Sequence, residues 1–400
     1  MGQRIYVSFE AITNMENKRG KILIYGAGAI GRGFLAPTFS KLGYEIYFVD
    51  KNKELITELN LRNTYKTAFS KGSGYEIVSV PYSGAFMPGE EDEVLSLVDF
   101  VFTCVGPDNF SSFASKLINV PSVISFENEY ESVQKLKELS SNYNCFFGVP
   151  DVITSNEAPS ELKAIDKLCL VSEKGEYAIE KGNFVFPEEI PTYSKRELQK
   201  YWACKFYLHN TPHATAAFLG KMFGCEYLHE AMRVPAIRKA VESVMDSTKK
   251  AMKIKKLADD DFIDFYAEKE IERFSDPLLF DPIIRVGREP LRKLRKNDRL
   301  VGSLKFISET NQDPTGALLT IKAAIYDVLD NYNQEASELL VQNPTEELIL
   351  EKISGIACGS QLFNQIISTN LFRKLFFIED SLVKVNQPVL FRNSVKIISN

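Results

Sequence analysis

The chain is poor in the residues that hold metals or staple a fold. It has three histidines and six cysteines in 400 residues, and no two cysteines stand at CxxC spacing. A structural or catalytic zinc needs His and Cys in clusters, and a disulfide framework needs cysteines crowded into a short secreted chain. Neither pattern is present, so the expected metal content is none. Also missing is an apolar run near the roughly 18 residues that a membrane-spanning helix requires. The opening stretch MGQRIYVSFEAITNMENKRG lacks the apolar core and cleavage site of a secretory signal. Tyr6 stands where a myristoylation motif has Ser or Thr. A cytoplasmic protein with no membrane role is the expectation. Excess positive charge is absent too: 48 basic residues face 53 acidic ones, for a net charge of −5, which speaks against a nucleic-acid partner.

What is present suits a globular protein of two domains, with 44% hydrophobic and 25% charged residues. Residues 1–20 read as an extension, with Met15 as an alternative start, because fold-like patterning begins at Lys21. There KILIY, a β-rich run, leads into GAGAIGRG, then a helical segment ending at Gly43, then the second β-rich run YEIYFVD. Strand, glycine turn, helix and strand ending in an acid form the dinucleotide-binding fingerprint in its proper context. Gly26 permits the tight turn, Gly28 lets backbone approach a pyrophosphate, and Gly31 allows close packing. Ala27, Ala29 and Ile30 complete the turn, whose N–H groups face an anion. Asp50 is placed to accept the adenosine ribose hydroxyls, and its charge favours NAD over NADP.

Further β-rich runs follow: DFVFTCVGP, PSVISFEN and CFFGVPD, separated by amphipathic helices. Their ends carry Gly106 and Pro107, Asn128, and Asp151, and in open α/β sheets ligands bind at that edge. Beyond about Tyr193 the apolar spacing turns helical. The expected fold class is an α/β Rossmann domain with a mostly parallel sheet over 21–191, joined to a mainly α-helical domain over 192–400.

Two of the three histidines lie in KFYLHNTPH, at the head of an apolar segment. Hydride transfer at a carbonyl carbon needs a coupled proton transfer, and Lys205, Asn210 and His213 can supply such polar groups. On an unbroken α-helix they fall within an arc of about 140°. Pro212 complicates this, since it either kinks the helix or sits in a fresh first turn opened by Thr211; the sequence leaves both open. A second concentration of charge runs from 285 to 299, with seven basic residues against Glu289 and Asp298. Arg285, Arg288 and Arg292 are candidates to hold a phosphate through guanidinium forks, the alternative being a solvated or ion-paired face.

The spacing K-x4-N-x2-H resembles the signature of the polyol-specific long-chain dehydrogenases, the mannitol dehydrogenase family. The likeness extends to YGAGAIGRGF, the Glu127-Asn128 pair, HNTPHATAAFLGKMFG and RFSDPLLFDPIIRVGREPLRKLRKNDRL. It implies a metal-independent, NAD-linked oxidation of a secondary alcohol, with the site in the cleft between the domains. Lys205 would be the general base, Asn128 and Asn210 would bind the reacting oxygen, and His213 would orient the substrate; His209 has no role in the signature. The leading expectation is interconversion of D-mannitol 1-phosphate and D-fructose 6-phosphate by a monomer or small homo-oligomer. Alternatives are a polyol 2-dehydrogenase, a fructuronate or tagaturonate reductase, or a non-catalytic NAD-binding sensor. The sequence departs from the family pattern at Pro212, where glycine is common, and at Val152, where an arginine commonly follows the aspartate.

Overall fold

A computed structural model describes residues 19–331 and 344–371. All but the end of the extension expected over 1–20, including Met15, lies outside these residues. The chain divides into two compact units, one built from the residues up to Trp202 with Leu278–Phe280, the other from Ala203–Pro277 and the residues from Asp281 onward.

Among its described residues the first unit holds twelve strands: β1 Gly20–Tyr25, β2 Tyr44–Val49, β3 Thr64–Lys71, β4 Gly74–Pro81, β5 Gly84–Phe86, β6 Phe100–Thr103, β7 Ser122–Ser125, β8 Cys145–Asp151, β9 Thr154–Ser155, β10 Leu170–Ser172, β11 Glu176–Glu180 and β12 Thr192–Tyr193. Eight of them form one sheet in the order β12-β11-β8-β7-β6-β1-β2-β5, parallel except where β11 meets β8. Fully buried apolar strands such as β6 and β7 are what helices on both faces require. The order reverses between β1 and β6, and a crevice outside the carboxyl ends of strands at such a reversal is where dinucleotides bind. Beneath the helix that follows β1, Phe39 meets Phe102, Tyr177 and Phe186 edge to face at 4.9 to 5.8 Å, fixing that helix on the sheet. A second sheet, β4-β3-β10-β9, is an addition that the sequence reading did not resolve.

The second unit is helical in its described residues. Its central helix, Thr211–Met222, is buried on almost every face, as a helix of this composition (TPHATAAFLGKM) must be. It packs against Pro235–Lys255 and Thr315–Asp330, and the Thr215 and Thr320 hydroxyls pair across one of these contacts at 2.8 Å. Among the described residues no helix is long and apolar enough to cross a membrane.

Candidate active site

In the first unit the glycine turn is built as the fingerprint demands. Gly26 has φ +105°, and a Cβ there would strike the Cys104 carbonyl oxygen at 2.8 Å. A Cβ on Gly31 would lie 2.0 Å from the Gly26 oxygen, whereas one on Gly28 would meet nothing within 4 Å. The turn is therefore closed where chain crosses chain and open at Gly28, which is the cradle a pyrophosphate needs. The N–H groups of Gly28, Ala29 and Ile30 belong to the unpaired first turn of a helix, and among the described residues they have no acceptor. These residues fit NAD. Asp50, expected to meet the ribose, also binds the turn itself: Oδ2 accepts from Ala27 N at 2.8 Å and Oδ1 from Asn52 N at 2.9 Å.

At the neighbouring strand ends, Gly106 (φ +87°) precedes the tight turn opened by Pro107. The buried Glu127 carboxylate holds this corner, accepting from Val105 N at 2.9 Å and Gly106 N at 3.0 Å. Burial lifts its pKa to about 7, although both N–H bonds act in the opposite direction. Asn128 next to it is exposed, and Asp151 is buried at the end of β8.

In the second unit Lys205 and Asn210 bound a widened helical turn, the π turn Lys205–Asn210, which runs without a break into Thr211–Met222. A fresh start is absent, because Asn210 and Thr211 both keep right-handed helical angles. Pro212 is accommodated because the helix has already left the α pattern before it. The Thr211 hydroxyl donates back to the Phe206 carbonyl at 3.2 Å, satisfying one acceptor where regular bonding lapses. A π turn carries more residues per turn, so residues five apart, Lys205 and Asn210, lie closer to one face than α geometry allows. Lys205, Asn210 and His213 are all buried, at 7%, 6% and 8% exposure, and among the described residues the Asn210 amide has no hydrogen-bond partner.

His213 Nε2 lies 2.8 Å from Asp281 Oδ2, and Asp281 Oδ1 accepts from Arg285 Nε at 3.0 Å and Nη2 at 2.5 Å. Burial acts to raise the Asp281 pKa, yet Arg285 and His213 together hold it at about 2. Burial likewise lowers His213 to about 4 against the pull of Asp281. A neutral imidazole beside an ionised carboxylate must carry its hydrogen on Nε2, leaving Nδ1 as an acceptor. One turn away the arrangement repeats. His209 Nδ1 lies 2.5 Å from the fully buried Glu270, which also binds Arg273. The two rings are 4.7 Å apart, and Phe274 stacks on His213 at 5.1 Å. Asp281, Glu270 and Arg273 escaped the sequence reading because they lie 60 to 70 residues from their histidines, which leaves no local signal; RFSDPLLFD, quoted for its likeness alone, contained two of them.

The basic segment is not one anion pocket. Arg285 is committed to Asp281, while Arg292 binds Asp298 at 2.8 Å and Glu289 at 3.2 Å. Of the three candidate arginines Arg288 is the exposed one, with 68% of its side chain accessible and Glu289 at 4.0 Å as its one ion-pair neighbour among the described residues. Lys293 is buried and donates to the Arg288 carbonyl; burial, with Arg299 and Arg292 beside it, pushes its pKa down to about 6.

Comparison with known proteins agrees with this organisation. Residues 20–135 match the mannitol dehydrogenase Rossmann domain and residues 197–371 the mannitol dehydrogenase C-terminal domain. A mannitol-1-phosphate 5-dehydrogenase of Caldanaerobacter subterraneus subsp. tengcongensis is 30% identical, over 91% of this chain and 100% of that one. One from Brevibacillus brevis is also 30% identical, over 84% and 94%. Among solved structures, the Pseudomonas fluorescens mannitol 2-dehydrogenase ternary complex with NAD and D-mannitol superposes with TM-score 0.68 at 14% identity, covering 92% of this chain and 90% of that one. A substrate-free D-sorbitol dehydrogenase superposes with TM-score 0.64 at 14% identity, covering 90% and 94%.

Proposed function

The chain belongs to the mannitol dehydrogenase family and is an NAD-dependent alcohol dehydrogenase, and on that premise we propose that it interconverts D-mannitol 1-phosphate and D-fructose 6-phosphate. The observation that carries the reading is the gathering of Lys205, Asn210 and His213, buried, on one helical stretch. NAD, when bound, supplies the hydride acceptor. The turn at Gly26, Gly28 and Gly31 holds its pyrophosphate, with Ala27, Ala29 and Ile30 as backbone, and Asp50, Gly106 and Pro107 border it. Lys205 takes the hydroxyl proton as the carbinol carbon loses hydride, and returns it when the ketone is reduced. Asn210 and Asn128 donate N–H to the reacting oxygen and stabilise its alkoxide character without competing for the proton. His213, fixed by Asp281, offers Nδ1 to a second substrate hydroxyl, and Asp151 borders the substrate.

Of the three arginines first considered for the phosphate, Arg288 is the most accessible. A second reading, an unphosphorylated polyol, draws on the ion pairs that occupy Arg285 and Arg292. Mixing the protein with NADH and, in turn, fructose 6-phosphate, fructose, fructuronate and tagaturonate separates these. Rapid loss of NADH absorbance with fructose 6-phosphate alone is the expected result. Turnover confined to fructose establishes the second reading, and turnover confined to the uronates overturns both.

A further inference from the structure

Arg32 stands in the first turn of the helix after GAGAIG and is only 5% exposed. Each hydrogen bond it makes goes to a neutral oxygen: Nε to Ala27 O at 2.6 Å, Nη1 to Leu168 O at 2.9 Å, and Nη2 to Asn156 Oδ1 at 3.3 Å. The Tyr65 ring centroid is 5.6 Å away. Among the described residues no carboxylate forms an ion pair with it. Burial pulls its pKa down, with Tyr65, Asp50 and Asp166 acting the other way, but a guanidinium stays charged in a protein. Burying a cation without a counter-charge is strongly unfavourable, so its retention here calls for an anion in the working state of the protein.

The bond to Ala27 says which anion. A trans peptide is planar, with its C=O and N–H pointing in opposite directions. By drawing the Ala27 carbonyl inward, Arg32 turns the N–H of Gly28 the opposite way, away from the guanidinium, at a position where a Cβ would meet nothing within 4 Å. From the other side Asp50 anchors the Ala27 N–H. We propose that Arg32 is a positioning residue for the cofactor, aiming the Gly28 N–H at the pyrophosphate and supplying from beneath the turn the positive charge that this diphosphate neutralises. It touches no substrate and acts through the Ala27–Gly28 peptide.

The inference rests on the NAD-binding reading, and titrating the wild-type protein with NAD tests that reading separately. The inference itself is tested with two ligands that differ in charge, ADP and adenosine, titrated calorimetrically into wild type, Arg32→Met and Arg32→Lys. ADP affinity should fall about tenfold in Arg32→Met, or about 1.4 kcal/mol, with adenosine affinity unchanged, and Arg32→Lys should recover most of the loss. Equal losses for ADP and adenosine, or no loss for either, overturn the proposal; so does an Arg32→Lys protein no better than Arg32→Met. Should Arg32→Met fail to fold, the wild type decides: inorganic pyrophosphate should raise its thermal midpoint above that in chloride of equal ionic strength. An unmoved midpoint refutes the proposal.

Discussion

The two units solve the problem of a polar site in opposite ways. The first uses backbone: glycines that let chains approach, unpaired N–H groups, and a cation that forms no ion pair among the described residues. The second uses side chains on helices, where each buried histidine has a carboxylate and each carboxylate an arginine. Past its first turn a helix spends its backbone groups on its own bonds, so a site built along a helix must use side chains, and breaking a buried charge pair there is costly. A strand-end turn has backbone to spare and can leave its charge for a ligand to balance. The contrast teaches that the first unit is completed by its cofactor, whereas the second arrives preassembled.

The largest expected effect tests whether chemistry resides with the side chains. Lys205→Ala should lower kcat by about 10²–10⁴-fold while NAD affinity, measured by fluorescence titration, stays within twofold of wild type. A near-normal kcat would remove Lys205 from its assigned role. Next comes Asp281→Ala, which strands both His213 and Arg285; truncating one partner of a buried pair costs about 3–5 kcal/mol, visible in urea unfolding. An unchanged midpoint would mean that the second unit does not depend on its pairs.

Two glycines sharpen the picture of the first unit. Gly31→Ala forces a Cβ into the Gly26 oxygen and should cost about 1–3 kcal/mol of stability. Gly28→Ala meets only open space, so the thermal midpoint should hold while NAD affinity falls about tenfold, or about 1.4 kcal/mol. If both variants lose stability alike, the open cradle is illusory. The smallest effect is a slope. The folded His213 titrates near 4 against an ordinary 6.5, so between those values the unfolded chain holds a proton that the folded one refuses. Stability therefore rises with pH across that window, by about 1.4 kcal/mol per pH unit, and acidification through it weakens the fold. Removing the imidazole in His213→Asn should flatten the acid limb of the stability curve by that one proton.

How much of this the sequence disclosed follows the same division. The glycine turn, the parallel strands and the helical second half are local patterns, and KILIY-GAGAIG could be read almost atom by atom. The β3–β4 hairpin was missed because TYKTAFSK and GYEIVSVP mix polar and apolar residues without the clean run that marked the other strands. Nothing in the sequence singled out Arg32, since burial by β3 and by the segment around Leu168 is a tertiary fact. His209, without a role in the signature, holds a partner 61 residues away. The Pro212 question had no answer in residue preferences, because the deciding feature lies in how the preceding turn is wound.

That winding changes what a motif spacing means. Counted along the chain, Lys205 and Asn210 are five apart, a gap that ordinary helical arithmetic spreads over about 140° of the helix surface. The same gap becomes an alignment once a single turn is loosened. A Lys-x4-Asn pattern is thus a message about backbone pitch as much as about side chains. Shortening the loop of helix by one residue would leave both groups in the chain and still dissolve their partnership.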